Sequence, residues 1–93
     1  MTEVLLAVDI MCEWLGYEPA YRVYVDGDLL TERTYIWGDQ QYVREHLSVN
    51  LEPGEHQLIV EPIINHGTQA QFKLTNFTIN GQLSPLINNT FTI

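Results

Sequence analysis

Residues Tyr21 to Trp37, YRVYVDGDLLTERTYIW, set two runs of β-favouring residues on either side of Asp26-Gly27. Asp-Gly supplies the positive φ that a tight hairpin turn demands. Tyr21, Val23 and Val25 alternate with Arg22, Tyr24 and Asp26 in the two-residue period of a half-buried strand. A hairpin is therefore predicted, with Val23, Val25 and Leu30 toward a core and Tyr24, Tyr35 and Trp37 pointing outward. Two registers are open. A two-residue turn at Asp26-Gly27 sets Arg22 opposite Thr31, whereas a three-residue loop ending at Asp28 sets Arg22 opposite Glu32, which is the better electrostatic match.

The same alternation recurs along the chain. From Glu3 to Trp14, Val4, Leu6, Val8, Ile10, Cys12 and Trp14 share one parity while Glu3, Asp9 and Glu13 hold the other. A helix is tolerated by Leu5, Leu6 and Ala7, but Val8, Ile10 and Trp14 favour extension. Gly16 to Pro19 reads as a connection and Gly38 to Gln41 as a polar break. Tyr42 to Leu51 is a further strand with Val43, Glu45, Leu47, Val49 and Leu51 on one face. Glu45 is the anomaly there, because a buried carboxylate needs a partner, and Arg33 on the preceding strand is the candidate.

Glu52-Pro53-Gly54-Glu55 has the chemistry of a turn and predicts a second hairpin, with Leu51 opposite His56, Val49 opposite Leu58 and Leu47 opposite Val60. After a polar stretch from Asn65 to Ala70, Phe72 and Leu74 lie on one parity and Phe77 and Ile79 on the other. A bulge near Thr75-Asn76 reconciles them. Asn80-Gly81 is another turn signal, and Thr90 to Ile93 reads as an edge strand. Six to seven short strands separated by turns define an all-β class, a small antiparallel β-sandwich, in one domain spanning residues 1–93.

Ninety-three residues suffice for one core, and 45% hydrophobic with 17% charged residues is the composition of a globular chain. The net charge of −8 leaves only Arg22, Arg33, Arg44 and Lys73 as fixed cations. Nucleic acid and anionic membranes are therefore unexpected partners, since both are recognised by clustered Lys and Arg. Met1-Thr2-Glu3 carries no basic leader and Val4 to Ala7 is too short for a signal core, so synthesis in the cytoplasm without a signal peptide is expected.

Chemistry is sparsely signalled. Cys12 is the only cysteine, which leaves no internal disulfide and no cysteine-based zinc site, and its place on the apolar parity predicts a buried, inert thiol. His46, His56 and His66 are evenly spaced, but the predicted second hairpin puts the first two on opposite faces, so no shared metal is expected. Asp26, Asp28 and Glu32 resemble a string of calcium ligands, yet turn chemistry accounts for Asp-Gly-Asp. No catalytic motif is present. No enzyme activity and no cofactor are expected. The aromatic residues Tyr17, Tyr24, Tyr35, Trp37 and Tyr42 are the candidate binding surface, since such rings suit sugar stacking or protein anchoring.

Tyr21-Arg22-Val23-Tyr24-Val25-Asp26-Gly27, Leu51-Glu52-Pro53-Gly54-Glu55-His56 and Phe77-Thr78-Ile79-Asn80-Gly81 together resemble the small calcium-dependent carbohydrate-binding modules of the xylan-binding type. The resemblance implies a jelly-roll or carbohydrate-binding-module-like sandwich. It also implies an acidic, Asn-rich calcium and sugar segment, where this chain has Ile64 to Gln71 with Asn65 as the one corresponding residue. As a small acidic sandwich, the chain is also similar in architecture to accessory or decoration subunits of tailed-phage virions. The expected function is a non-catalytic structural, interacting subunit of a larger assembly, of the phage virion accessory or decoration type, with protein subunits or further copies of itself as partners. Glycan binding by a stand-alone module is the alternative.

Overall fold

The computed structural model describes residues 2–37, 41–63 and 67–93. Eight strands follow in order: β1 (Thr2–Leu15), β2 (Ala20–Val25), β3 (Asp28–Thr34), β4 (Val43–Leu51), β5 (Glu55–Ile63), β6 (Gln69–Ile79), β7 (Gln82–Leu83) and β8 (Thr90–Thr92). They form two four-stranded antiparallel sheets, ordered β4-β1-β6-β7 and β3-β2-β5-β8. The protein is a small β-sandwich of eight strands rather than six to seven, the short β7 being the one that alternation does not announce.

The alternating parity of β1 becomes the core. Val4, Leu6, Val8, Ile10 and Cys12 are buried between the sheets, where they meet Tyr21, Val23 and Val25 of β2, Leu47 and Leu51 of β4, Leu58 of β5, Phe77 of β6 and Phe91 of β8. Removing each such side chain from water stabilises the fold by about 1.5–3 kcal/mol before ordering costs. β1 has the most residues of any strand and is central, pairing with β4 on one side and β6 on the other. At about 3.3 Å per residue it runs close to the full 42 Å length of the molecule.

The first hairpin takes Arg22 opposite Glu32, although its turn is the tight one, with Val25 opposite Asp28. Both features coexist because the register shifts between Val23 and Tyr24, which makes Leu30 an extra residue on β3. A bulge turns every following side chain to the other face. Leu30 is therefore 37% exposed rather than in the core, and Arg33, opposite Tyr21, is turned inward.

β6 carries the second bulge. Ala7 faces Thr78 and Asp9 faces Thr75, so one residue of β6 is left over, and Asn76 takes a φ of 52°. Phe72 and Leu74 before it and Phe77 and Ile79 after it all reach the core. Asn80 and Gly81 both have positive φ, 50° and 81°, and close the β6–β7 hairpin with Ile79 opposite Gln82. β8 is the predicted edge strand, lying beside β5 with His56 opposite Phe91.

The second predicted hairpin does not form. β4 pairs with β1, from Thr2 opposite Leu51 to Ile10 opposite Val43, and β5 pairs with β2, from Ala20 opposite Ile63 to Val25 opposite Leu58. The turn at Glu52 to Gly54 thus crosses from one sheet to the other. Alternation reports which side chains face the core, and that is the same for a hairpin and for a crossing. Gly54 instead exchanges both backbone bonds with Ile93, at 2.9 and 3.0 Å.

Candidate functional site

The five aromatic residues singled out from the sequence do not form one surface. Tyr35 is fully buried, with its hydroxyl donating to the Gln41 carbonyl at 2.8 Å and its ring edge-on to Trp37 and Phe72. The run that ends the first hairpin leaves the sheet at Thr34, so Tyr35 turns under the Trp14–Trp37 end instead of outward. Trp37 is half-buried, and its carbonyl accepts a bond from Trp14 Nε1 at 2.9 Å. Phe91 is likewise buried, against Phe77 and His56. Tyr17 and Tyr42 are exposed at 67% and 56%. Tyr24 lies near the Asp26-Gly27 turn, at the other end of β2 from Trp37.

Tyr24 belongs to a different feature. On the outer face of the second sheet Leu29, Tyr24 and Ile59 stand side by side across β3, β2 and β5, with Leu29 and Ile59 among the exposed large apolar residues. The next row holds Glu32, Arg22 and Glu61 in the same order. Arg22 bonds Glu32 at 3.2 Å and approaches Glu61 at 3.8 Å, and the Glu32 contact raises the guanidinium pKa further. The result is an apolar row edged by paired charges, mounted on three hydrogen-bonded strands. Leu29 and Ile59 carry the part of it that sequence reasoning missed. The Tyr24–Leu29 pairing was available from the tight-turn register.

Between the sheets, Glu45 on β4 accepts from Arg33 Nε at 2.6 Å and from the Tyr21 hydroxyl at 2.5 Å. Arg33 Nη2 reaches its second oxygen at 3.4 Å. The pair joins one sheet to the other rather than neighbouring strands of one sheet. Burial, and then the adjoining carboxylate, push the Tyr21 phenol well above its ordinary value, so it stays protonated and donates to Glu45.

On the outer face of the first sheet a second polar cluster surrounds Asp9, which is buried. Arg44 Nη1 bonds Asp9 at 2.9 Å and the Asn76 carbonyl at 3.0 Å, Nη2 bonds Thr78 at 3.0 Å, and Asn76 Nδ2 bonds Asp9 at 2.9 Å. Burial raises the Asp9 pKa, but the bonds from Asn76 and Arg44 outweigh it and the net shift is downward. The cluster was invisible in the sequence because its members come from three strands and depend on the β6 bulge. Both carboxylate oxygens of Asp9 accept from protein donors, which suits a brace better than a reactive centre.

The Asp26 turn is similarly engaged. Its carboxylate bonds His56 Nδ1 at 2.5 Å and the Gln57 backbone N–H at 2.9 Å, while His56 Nε2 meets the Glu52 carbonyl at 2.6 Å. His46 lies on β4 opposite Ala7, and His66 falls outside the described residues. Among the described residues no group of three His, Cys, Asp or Glu side chains is placed to hold a metal ion. Cys12 is buried, and burial pushes its thiol pKa up. The segment Ile64 to His66, with Asn65, also lies outside the described residues.

Charge is unevenly laid out. All twelve carboxylates precede residue 62, and the remaining third of the chain carries Lys73 as its single fixed charge. That third supplies β6, β7 and β8, and it borders a groove of about 610 Å³ between β6 and residues 84–89. Compared with known proteins, the chain matches no family model, no curated protein and no solved structure.

Proposed function

We propose that this protein is a non-catalytic subunit of a larger protein assembly, of the virion-accessory kind, and that it docks through the outer face of its second sheet. The observation that carries the reading is the Leu29–Tyr24–Ile59 row edged by Glu32, Arg22 and Glu61. Docking surfaces combine an apolar centre with a polar rim, and an aromatic anchor on a rigid strand loses little freedom on binding. The test is co-sedimentation with large particles from the native source. Wild type should travel with the particle and Leu29→Lys/Ile59→Lys should stay behind with an unchanged melting temperature. Equal behaviour of the two, or a wild type found only as free monomer, overturns the reading.

A second reading, glycan binding, is favoured by the exposure of Tyr17 and Tyr42. Exposed tyrosine rings can stack on sugar faces. A glycan array run with and without calcium tests it: binding lost in Tyr17→Ala or Tyr42→Ala supports it, and no binding in either condition removes it.

A further inference from the structure

In the first sheet β6 pairs with β1 from Gln69 onward, but β7 covers its other side only at Thr78 and Ile79. Ser84 adds a bond to the Phe77 carbonyl, and Arg44 takes the Asn76 carbonyl. Residues 69–75 thus present a strand edge that no other strand pairs among the described residues, about 24 Å long at ~3.4 Å per residue. An unpaired edge of this length is a template for another extended chain. Its usual protections are thin here: it contains no proline, one lysine and a bulge only at its far end. The groove beside it is lined by Phe72, Leu74 and Leu86 together with the polar Lys73, Thr75 and Asn89.

Charge selects the occupant. The chain has a net charge of −8, and two copies repel wherever their carboxylates approach. The flank built from β6, β7 and β8 is free of Asp and Glu, so it is the side on which a second copy meets least repulsion. We infer that two copies associate edge to edge through residues 69–75 of β6, forming one continuous antiparallel sheet across a twofold axis. An axis through Phe72 sets Phe72 opposite Phe72, Lys73 opposite Gln71, Leu74 opposite Ala70 and Thr75 opposite Gln69. An axis through Lys73 would place two ammonium groups face to face, and like charges directly opposite are unfavourable. This association uses a different surface from the docking face proposed above and does not rest on it.

Sedimentation equilibrium from micromolar to millimolar protein, with amide hydrogen exchange measured at both ends of that range, tests the inference. Wild type should form a dimer that tightens as salt screens the net charge, and alternate amides within residues 69–75 should exchange more slowly at high concentration. Lys73→Glu, which returns a carboxylate to the flank, should weaken the dimer roughly tenfold while Lys73→Gln keeps it, both with unchanged melting curves. A wild type that is monomeric throughout overturns the inference. So does a dimer in which exchange at residues 69–75 ignores concentration, or a Lys73→Glu variant that associates as tightly as wild type.

Discussion

Arg33 and Glu45 sit on different sheets, and their ion pair exists because Leu30 is expelled. Without the bulge, the tight turn would place Leu30 opposite Val23 and send the Arg33 side chain out to solvent. With it, Leu30 is given up to the surface, Arg22 gains Glu32, and Arg33 reaches a carboxylate that is itself buried. One extra residue therefore exchanges an aliphatic core contact for two charge contacts, one of them bridging the sandwich.

That exchange predicts unequal costs. Arg33→Ala should destabilise by about 3 kcal/mol, because it strands a buried carboxylate. Replacing Glu45 by Leu alone should also destabilise, since the buried Tyr21 hydroxyl loses its acceptor. Tyr21→Phe, Arg33→Met and Glu45→Leu combined should recover most of the loss, as buried ion pairs replaced whole by apolar groups often do. Urea denaturation of wild type and the three variants ranks these costs.

The Asp26–His56 contact makes stability depend on pH at both ends. Hydrogen bonds to Asp26 and to the Glu52 carbonyl raise the His56 pKa above its ordinary 6.5, so its contribution is complete below that value and disappears as pH rises through the folded-state value. Burial pushes the Asp26 pKa up, but the bonds from Gln57 and His56 outweigh it and the net shift is below 3.8; this contribution is present above 3.8 and disappears as pH falls through the lower value. The urea midpoint should decline as pH rises above 6.5 through the raised folded-state value, and His56→Gln should flatten that decline.

Asn76 has two separable roles, a left-handed backbone and a bond to Asp9. Asn76→Gly should cost about 1 kcal/mol from the lost bond, and Asn76→Ala more, because alanine resists a φ of 52°. Arg44→Lys should cost at least as much as Asn76→Gly, since one ammonium cannot replace a fork that reaches Asp9, Asn76 and Thr78 at once. Thermal unfolding ranks the three.

Gly16 follows β1 at a φ of 102°, and a Cβ there would lie 2.6 Å from the Gly67 carbonyl oxygen. Gly16→Ala should therefore destabilise by about 2 kcal/mol or more. Gly81→Ala, with a φ of 81° but open space around it, should cost about 1 kcal/mol. Parallel melting curves check the order.

Much of this fold could be read from side-chain parity. Parity identified the core of β1 and β2, located the β6 bulge and marked Glu45 as a carboxylate on an apolar face, because burial follows locally from which residues alternate; Arg33 was chosen for its charge and its place on the preceding strand. It could not say that β4 and β5 belong to different sheets, since that depends on which backbone edge finds a partner. Nor could it place Tyr35, which lies just beyond the end of β3, where a bend rather than alternation sets direction. The Asp9 cluster stayed hidden because three strands distant in sequence build it. The apolar row on the outer face was half visible: Tyr24 and Leu29 follow from the turn, while Ile59 needed the true partner of β5.

The central place of β1 has a kinetic consequence. Its two neighbours, residues 43–51 and 69–79, are made long after it, so during synthesis a strand with a continuous apolar face waits unpaired while most of the chain is added. Closing such distant loops before any contact rewards them is slow, and a waiting strand of this kind is open to capture by a neighbouring nascent chain. Folding in milliseconds to seconds is expected, with yield more sensitive to chain concentration and to chaperones than the stability of the finished sandwich would suggest.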